Sequence, residues 1–293
     1  MNFSPRNRRL RVVEAAPVAA GGAAPGDIKI EGVRKVFRGK RGDTIALENI
    51  DLTVGKGEFL SIVGPSGCGK STLMRLIAGL LPASAGNIVI DGREVNGPHT
   101  DVGIVFQNSV LLEWRSIIGN VLLQIEMRDL KPVAQYRERA MELLSAVGLG
   151  EFAHSYPFEL SGGMQQRASI VRALIHDPPR LLMDEPFGAL DALTREQMRI
   201  DLENLWLATG KTVVFITHSI EEAVLLSDRV VVMNARPGSI DRVIDIPLSR
   251  PRGLAARQRP EFVELCAEIT QIFLNRGVLT NRSNLQTGGF AKP

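Results

Sequence analysis

The stretch Phe59-Leu60-Ser61-Ile62-Val63-Gly64-Pro65-Ser66-Gly67-Cys68-Gly69-Lys70-Ser71 joins a short apolar strand to a Gly-rich turn. Ser71 to Leu81 then continues as a helix until Pro82 stops it. The turn matches G-x-x-x-x-G-K-S in the context that gives this pattern chemical meaning, between a strand and a helix. Glycines allow backbone N–H groups to turn inward around an anion, and the helix N-terminus adds positive potential. Gly64, Pro65, Ser66, Gly67, Cys68, Gly69, Lys70, Ser71 and Thr72 are therefore candidate phosphate-binding residues. In such a loop Lys70 reaches the outer phosphates of a nucleotide, and the Ser71 hydroxyl reaches Mg²⁺. Taken alone, the same residues also admit a purely structural Gly-rich turn. Cys68 lies among the candidate amides, so thiol alkylation is expected to block the site and nucleotide to protect it.

Working outward, strands and helices alternate. Val102 to Phe106 reads as a strand, Met164 to Ile175 as a helix, Arg180 to Met183 as a strand and Ala192 to Ala208 as a helix. Thr212 to Thr217, Ile220 to Ser227 and Arg229 to Met233 follow as strand, helix and strand. This order implies a mostly parallel sheet covered by helices. Upstream, Ile28, Ile30 and Val36, then Leu47, Ile50, Leu52 and Val54, mix with polar neighbours as half-buried strands do, and Asn87 to Ile90 ends in an Asp91-Gly92 turn. From about residue 108 strand signals fade. Val133, Tyr136, Ala140, Leu143, Leu144 and Val147 are spaced for a helix, which predicts a helical subdomain inserted at about 108–175. No internal repeat is visible.

The bulk properties narrow the class. The 293 residues suit one large α/β domain or two small ones, and 44% apolar with 23% charged residues is ordinary for a chain that buries a core. A net charge of +3, with its only tight basic cluster at Arg6 to Arg11, argues against a nucleic-acid partner. Cys68 and Cys266 are the only cysteines, and one lies in the Gly-rich loop, which argues against a disulfide framework and fits a reducing compartment. No stretch approaches the ~18 apolar residues that span a bilayer. Residues 1–26 are basic, then rich in Ala, Gly and Pro, with Glu14 and Pro17 interrupting any signal-like apolar region. They read as a disordered leader, with a membrane-surface or targeting role as the competing reading. Residues 27–245 form the expected nucleotide-binding domain, and 246–293 a C-terminal helical extension with a frayed tail.

Two further positions carry chemistry. Asp184 ends the run Leu181-Leu182-Met183, where a carboxylate can hold a Mg²⁺-bound water, and Glu185 beside it can act as base toward an attacking water. Before Pro186 the pair reads equally well as a cap closing a strand. His218 ends Val213-Val214-Phe215-Ile216-Thr217, and a lone His there is more often structural. His99, His154 and His176 have no metal-ligand spacing and read as structural.

Leu160-Ser161-Gly162-Gly163-Met164-Gln165-Gln166-Arg167 resembles LSGGQ, the signature of ATP-binding cassette (ABC) proteins, with Met164 in the fifth position. It begins about ninety residues after Lys70 and about twenty before Asp184, as that family requires. Gln107 matches the Q-loop glutamine, Gly188-Ala189-Leu190-Asp191 the D-loop and His218 the switch histidine, so the resemblance covers roughly residues 28–245. It implies an α/β P-loop NTPase fold with a mostly parallel core sheet, an antiparallel β subdomain and an inserted helical subdomain. It also implies an ATPase using ATP and Mg²⁺. Two copies would stack head to tail, so that Ser161, Gly162 and Gly163 of one close over the ATP held by the other. The implied catalytic residues are Glu185, His218 and Lys70, and the implied Mg²⁺ ligands are Ser71, Gln107 and, through water, Asp184. Phe37 resembles the A-loop aromatic that stacks on adenine, although Tyr is more usual there and an ordinary core Phe is the alternative.

A single cassette without a membrane span resembles the bacterial importer arrangement, in which an integral membrane permease is a separate chain and a solute-binding protein acts indirectly. Phe187, Leu111-Leu112-Glu113-Trp114-Arg115 and Asn120-Val121 resemble the nitrate, sulfonate, taurine and bicarbonate importers. That implies a peripheral protein on the cytoplasmic face of the inner membrane. The chain departs from this pattern at Glu113, where Pro is usual before the Trp, and at Phe158-Glu159, where His-Gln is common. Glu113 is expected to face the permease. The competing classes are a soluble ABC protein acting on nucleic acid or ribosomes and a cassette that binds ATP without turnover. The first lacks its second cassette or coiled-coil insert here, and intact Lys70, Asp184, Glu185 and His218 argue against the second.

Overall fold

Three strands with no exposed residue form the centre of the molecule: β3 (Phe59–Val63), β7 (Arg180–Asp184) and β8 (Thr212–Ile216). The computed structural model describes residues 26–278 except Arg41, so the expected leader, apart from Gly26, and the last part of the expected tail lie outside it. Because these strands are covered on both faces, their sequences read as nearly continuous apolar runs rather than alternating ones. With β6 (Val102–Val105), β9 (Arg229–Asn234) and β10 (Ser239–Asp245) they form a six-stranded sheet in the order β10-β9-β3-β8-β7-β6. Every pairing in it is parallel except that of β10 with β9. A second sheet, β2-β1-β4-β5, is antiparallel and is built from β1 (Gly26–Phe37), β2 (Thr44–Gly55), β4 (Ala85–Ile90) and β5 (Arg93–Glu94).

Helix α1 (Lys70–Ile77) lies between the two sheets and packs Leu73, Met74 and Ile77 against Ile28, Leu47 and Ile62. It ends short of the expected Leu81, because the Gly79 and Leu80 N–H groups turn back onto the carbonyls of Leu76 and Arg75 in a Schellman closure. On the other face of the parallel sheet, Phe59, Phe187 and Phe215 pack with α4 (Gly162–Leu174) and α5 (Ala192–Thr209). Helices α2 (Ile117–Met127) and α3 (Val133–Ala146) build a further core with α4 from Ile118, Val121, Leu144 and Ala168. Helix α2 is capped by Ser116, whose hydroxyl accepts from the Gly119 N–H. Its sequence, Ile117-Ile118-Gly119-Asn120-Val121-Leu122, is apolar on too many sides to show a helical period.

The chain returns through α6 (Ile220–Leu226), and the last helix among the described residues, α7 (Pro260–Asn275), packs Phe262, Ile269 and Phe273 against Val224, Val230 and Val232. Arg252, buried between them, fastens this extension. Its guanidinium donates to the carbonyls of Val224 (2.8 Å), Leu225 (3.1 Å) and Ser227 (2.6 Å) at the end of α6, and to those of Ile246 (3.2 Å) and Leu248 (3.1 Å) beyond β10. Burial, reinforced by Arg250, lowers its pKa to about 10, so it remains charged at neutral pH. Replacing Arg252 with Met strands five buried carbonyls, and we expect urea denaturation to show a loss of about 3 kcal/mol.

Candidate functional site

The Gly-rich turn follows β3 and opens α1, with Gly69 at the helix N-cap, so the first free N–H groups of α1 face the concavity of the loop. Two backbones grip it from outside. A Cβ at Gly238, in the turn between β9 and β10, would drive into the carbonyl of Cys68. One at Gly69 would meet Leu47 Cδ2 at 2.6 Å and the Ala46 carbonyl at 3.0 Å. Glycine is required at both places for this close approach. Lys70, 7% exposed, donates through Nζ to the carbonyls of Gly64 (2.8 Å) and Pro65 (3.2 Å), which holds its ammonium across the mouth of the loop.

Cys68 overturns one expectation. Its side chain is fully buried and belongs to the apolar core formed with Leu47, Ile62 and Met233, and burial pushes the thiol pKa up. Only its backbone can serve an anion, and an alkylating reagent meets neither an accessible nor an ionised sulfur.

Asp184 ends β7, is 5% exposed and lies beside the Ser71 hydroxyl at the start of α1. Burial raises its pKa above the usual 3.8, the Ser71 hydroxyl opposes this, and the charge of Glu185 adds to it. The strand breaks at Glu185, whose φ of 46° ends the alternation that sends neighbouring side chains to opposite faces. Its N–H still bonds the Ile216 carbonyl at 2.9 Å, fixing the kink to β8. One oxygen of Glu185 then gathers two partners, Gln107 Nε2 at 3.2 Å and His218 Nδ1 at 3.3 Å. Gln107 comes from the end of β6 and His218 from the end of β8, so the three meet because β6, β7 and β8 are adjacent and parallel.

Ser71, Gln107 and Asp184 offer only oxygen donors beside a phosphate-binding loop. Among the described residues no group of three His, Cys, Asp or Glu side chains could hold a metal. That set suits Mg²⁺, which takes few protein ligands and completes its octahedron with phosphate and water oxygens. An anionic carboxylate that burial disfavours fits the same role.

Ser161, Gly162 and Gly163 lie elsewhere, at the exposed start of α4, where the Ser161 hydroxyl accepts from the Met164 N–H at 3.3 Å. No hydrogen bond joins them to the Gly-rich loop among the described residues. Phe37 is 42% exposed at the end of β1, with Lys35 Nζ 5.2 Å from its ring, so it is not the core Phe of the alternative reading. Two residues that support the site had no role assigned from the sequence. Gln166 Nε2 donates to the Phe106 carbonyl at 3.1 Å, and Arg172 donates to those of Ser109 (2.9 Å) and Val110 (2.7 Å), so both hold the backbone around Gln107. Buried polar residues on an otherwise apolar helix face were the available signal.

Since the fold raises the pKa of Asp184, its proton is bound more tightly in the native state, and its contribution to stability is lost as pH rises from 3.8 through the folded value. Asp184→Asn keeps an acceptor for Ser71 and removes the buried charge. We expect its nucleotide-free thermal midpoint at pH 7 to exceed that of the parent, with the gap closing as pH falls toward 4, while Mg²⁺-dependent turnover is lost.

Comparison with known proteins places this chain in a family. Residues 47–188 match the family model described as ABC transporter. The ABC transporter ATP-binding protein MJ0412 of Methanocaldococcus jannaschii is 46% identical over 84% of this chain and 90% of its own length. The taurine import ATP-binding protein TauB of Rhizobium johnstonii is 46% identical over 84% of this chain and 95% of its own. The aliphatic sulfonates import ATP-binding protein SsuB of Bacillus thuringiensis is 40% identical over 86% and 98%. Among solved structures, the dimeric post-hydrolysis state of the ATP-binding cassette MJ0796 bound to ADP and Pi superposes with a TM-score of 0.69 at 34% identity, covering 76% of this chain and all of that one. With its Gly-rich loop, strand-end carboxylates and signature helix in the α/β arrangement described above, the chain belongs to the ATP-binding cassette family of ABC transporter ATPases.

Proposed function

We propose that this ATPase is the energy-coupling subunit of a bacterial importer, working as a head-to-tail pair of cassettes on a separate permease. The observation that carries the reading is the meeting of Gln107, Glu185 and His218 beside the Lys70, Ser71 and Asp184 cluster. In this reading the amides of residues 64–72 and the Lys70 ammonium bind the phosphates, and Phe37 stacks on adenine. Ser71, Gln107 and, through water, Asp184 would hold Mg²⁺, which when bound neutralises charge that builds on the phosphates. Glu185 accepts the proton of the water that attacks the γ-phosphorus, and His218 holds that carboxylate in place from the neighbouring strand. Ser161, Gly162 and Gly163 supply a second anion site through the start of α4, directed at the partner's ATP.

Relatives named for taurine and aliphatic sulfonate import support a small organosulfonate as cargo, within the wider set of nitrate and bicarbonate importers that the sequence resembles. The cassette would sit on the cytoplasmic face of the inner membrane, held there by the permease and served indirectly by a solute-binding protein. Among the described residues no helix is long and apolar enough to cross a membrane. Trp114, 75% exposed beside Glu113, supports a docking role for that segment.

Glu185→Gln keeps the shape of the site and removes the base. We expect it to bind ATP, to accumulate as a dimer on sizing chromatography, and to turn over at least about a hundredfold more slowly than the parent. Turnover near the parent value would exclude Glu185 as the base. Affinity capture of the tagged chain from gently solubilised native membranes should recover a stoichiometric polytopic protein. Recovery of ribosomal or DNA-bound partners instead would overturn the importer reading.

A further inference from the structure

Helix α4 carries the signature at its N-cap and lies against the loop that holds Gln107. One side chain on it reaches both places. Gln165 Nε2 donates to the carbonyls of Pro157 (2.8 Å) and Leu160 (3.3 Å), in the backbone that leads into Ser161. Gln165 Oε1 accepts from the hydroxyl of Ser109, just past Gln107, at 3.1 Å. Its partners fix the orientation of this amide: carbonyl oxygens only accept, so the NH₂ faces them and the amide oxygen is left for the Ser109 O–H. Gln166 and Arg172 also grip the Gln107 loop, at Phe106, Ser109 and Val110, but neither bonds the segment before the signature.

We infer that Gln165 is a positioning residue that couples the signature loop to the Gln107 loop, so that the half-site a cassette offers its partner is set by the state of its own nucleotide site. The inference rests on the head-to-tail reading above. Gln107 would move with the ligands of its own ATP, and Ser109 moves with it. A displacement of Ser109 must then either break its bond to Gln165 or carry the amide along. Because the amide is partly buried and bonded on both sides, releasing either set leaves a polar group unsatisfied. The cheaper response shifts Pro157 and Leu160, and with them Ser161.

The test uses the full-length Glu185→Gln protein, in which ATP-driven dimerisation is measured by sedimentation and the nucleotide affinity of the dilute monomer with a fluorescent ATP analogue. Gln165→Leu removes both connections. Gln165→Glu keeps the acceptor for Ser109 but sets a carboxylate against two carbonyls. Ser109→Ala removes only the glutamine-loop side. We expect Gln165→Leu and Gln165→Glu to weaken dimerisation about tenfold, and Ser109→Ala to weaken it severalfold. Monomer affinity should stay within about twofold in all three, and Ser109→Ala should add nothing to Gln165→Leu. Independent, multiplying effects of the two substitutions overturn the inference, as does unaltered dimerisation or a loss matched by equal loss of monomer binding. If Gln165→Leu does not fold, Ser109→Ala decides alone: dimerisation equal to that of its parent sinks the coupling. A Glu185→Gln parent that stays monomeric in ATP overturns the head-to-tail reading itself, and this inference with it.

Discussion

The close approach of three backbones at the Gly-rich loop constrains the rest of the molecule. The loop after β3 is pressed between Ala46-Leu47 of β2 and the turn at Gly238, with no room for a Cβ at Gly69 or Gly238. Main-chain bonds complete the clasp, from the Gly238 N–H to Ala46 at 3.1 Å and from the Glu48 N–H to Gly238 at 2.9 Å. A loop that must present its amides to an anion can spend few of them on itself, here the Cys68 N–H on the Pro65 carbonyl at 3.2 Å, so much of its shape has to be imposed from outside. That requirement brings the antiparallel sheet and the β9–β10 turn to the same place. The attachment is reinforced at the far end of the sheet, where buried Arg180 pairs with Asp27 and Asp91, and Thr212 donates to Asp27.

With the shape imposed, the site can hold arrangements that would otherwise relax. Asp184 keeps a carboxylate where burial disfavours its charge, and Glu185 keeps a left-handed backbone at a residue with a side chain. Such a conformation costs about 1 kcal/mol or more and persists only where its surroundings over-determine it. Here the surroundings are the Ile216 carbonyl and the two side chains from neighbouring strands. The C-terminal extension is fastened in a different way. The Arg252 clamp satisfies a cluster of buried carbonyls with one guanidinium, and α7 covers the back of α6, the helix that begins just after His218.

The strands that carry the chemistry were legible because they are buried on both faces. Phe59 to Val63, Leu181 to Met183 and Val213 to Ile216 are apolar apart from Ser61, and the functional residues lie where those runs end. Periodicity failed where burial is nearly all-round, as in α2, and where a backbone closure ends a helix before any Pro, as at Gly79. The direction of the Cys68 side chain could not be read from a motif that specifies only backbone amides. It became visible only with the Met233 and Leu47 packing beneath the loop. Gln166 and Arg172 were hidden for a related reason, since the backbone carbonyls they hold, at Phe106, Ser109 and Val110, lie about sixty residues away in sequence.

The layer formed by α2, α3 and α4 is joined to the parallel sheet unequally at its two ends. Near the nucleotide loop the joints are short, partly buried hydrogen bonds from Gln166 and Arg172 to main-chain carbonyls. At the opposite end they are exposed ion pairs, Arg128 with Asp101 at 3.2 Å and Arg139 with Asp177 at 3.3 Å. His176 lies beside them, half-buried, and burial together with Arg128 holds its pKa at about 4, so it adds no charge at neutral pH. Exposed pairs contribute at most about 1 kcal/mol each and are readily exchanged for water, whereas releasing a buried carbonyl is costly. The polar joints are therefore firm at the Gln107 end and exchangeable at the Asp101 end, with Ile170, Ala173 and Leu174 of α4 packed on the sheet between them. The signature, at the start of α4, sits at the firm end, where Gln165 ties the backbone before it to Ser109.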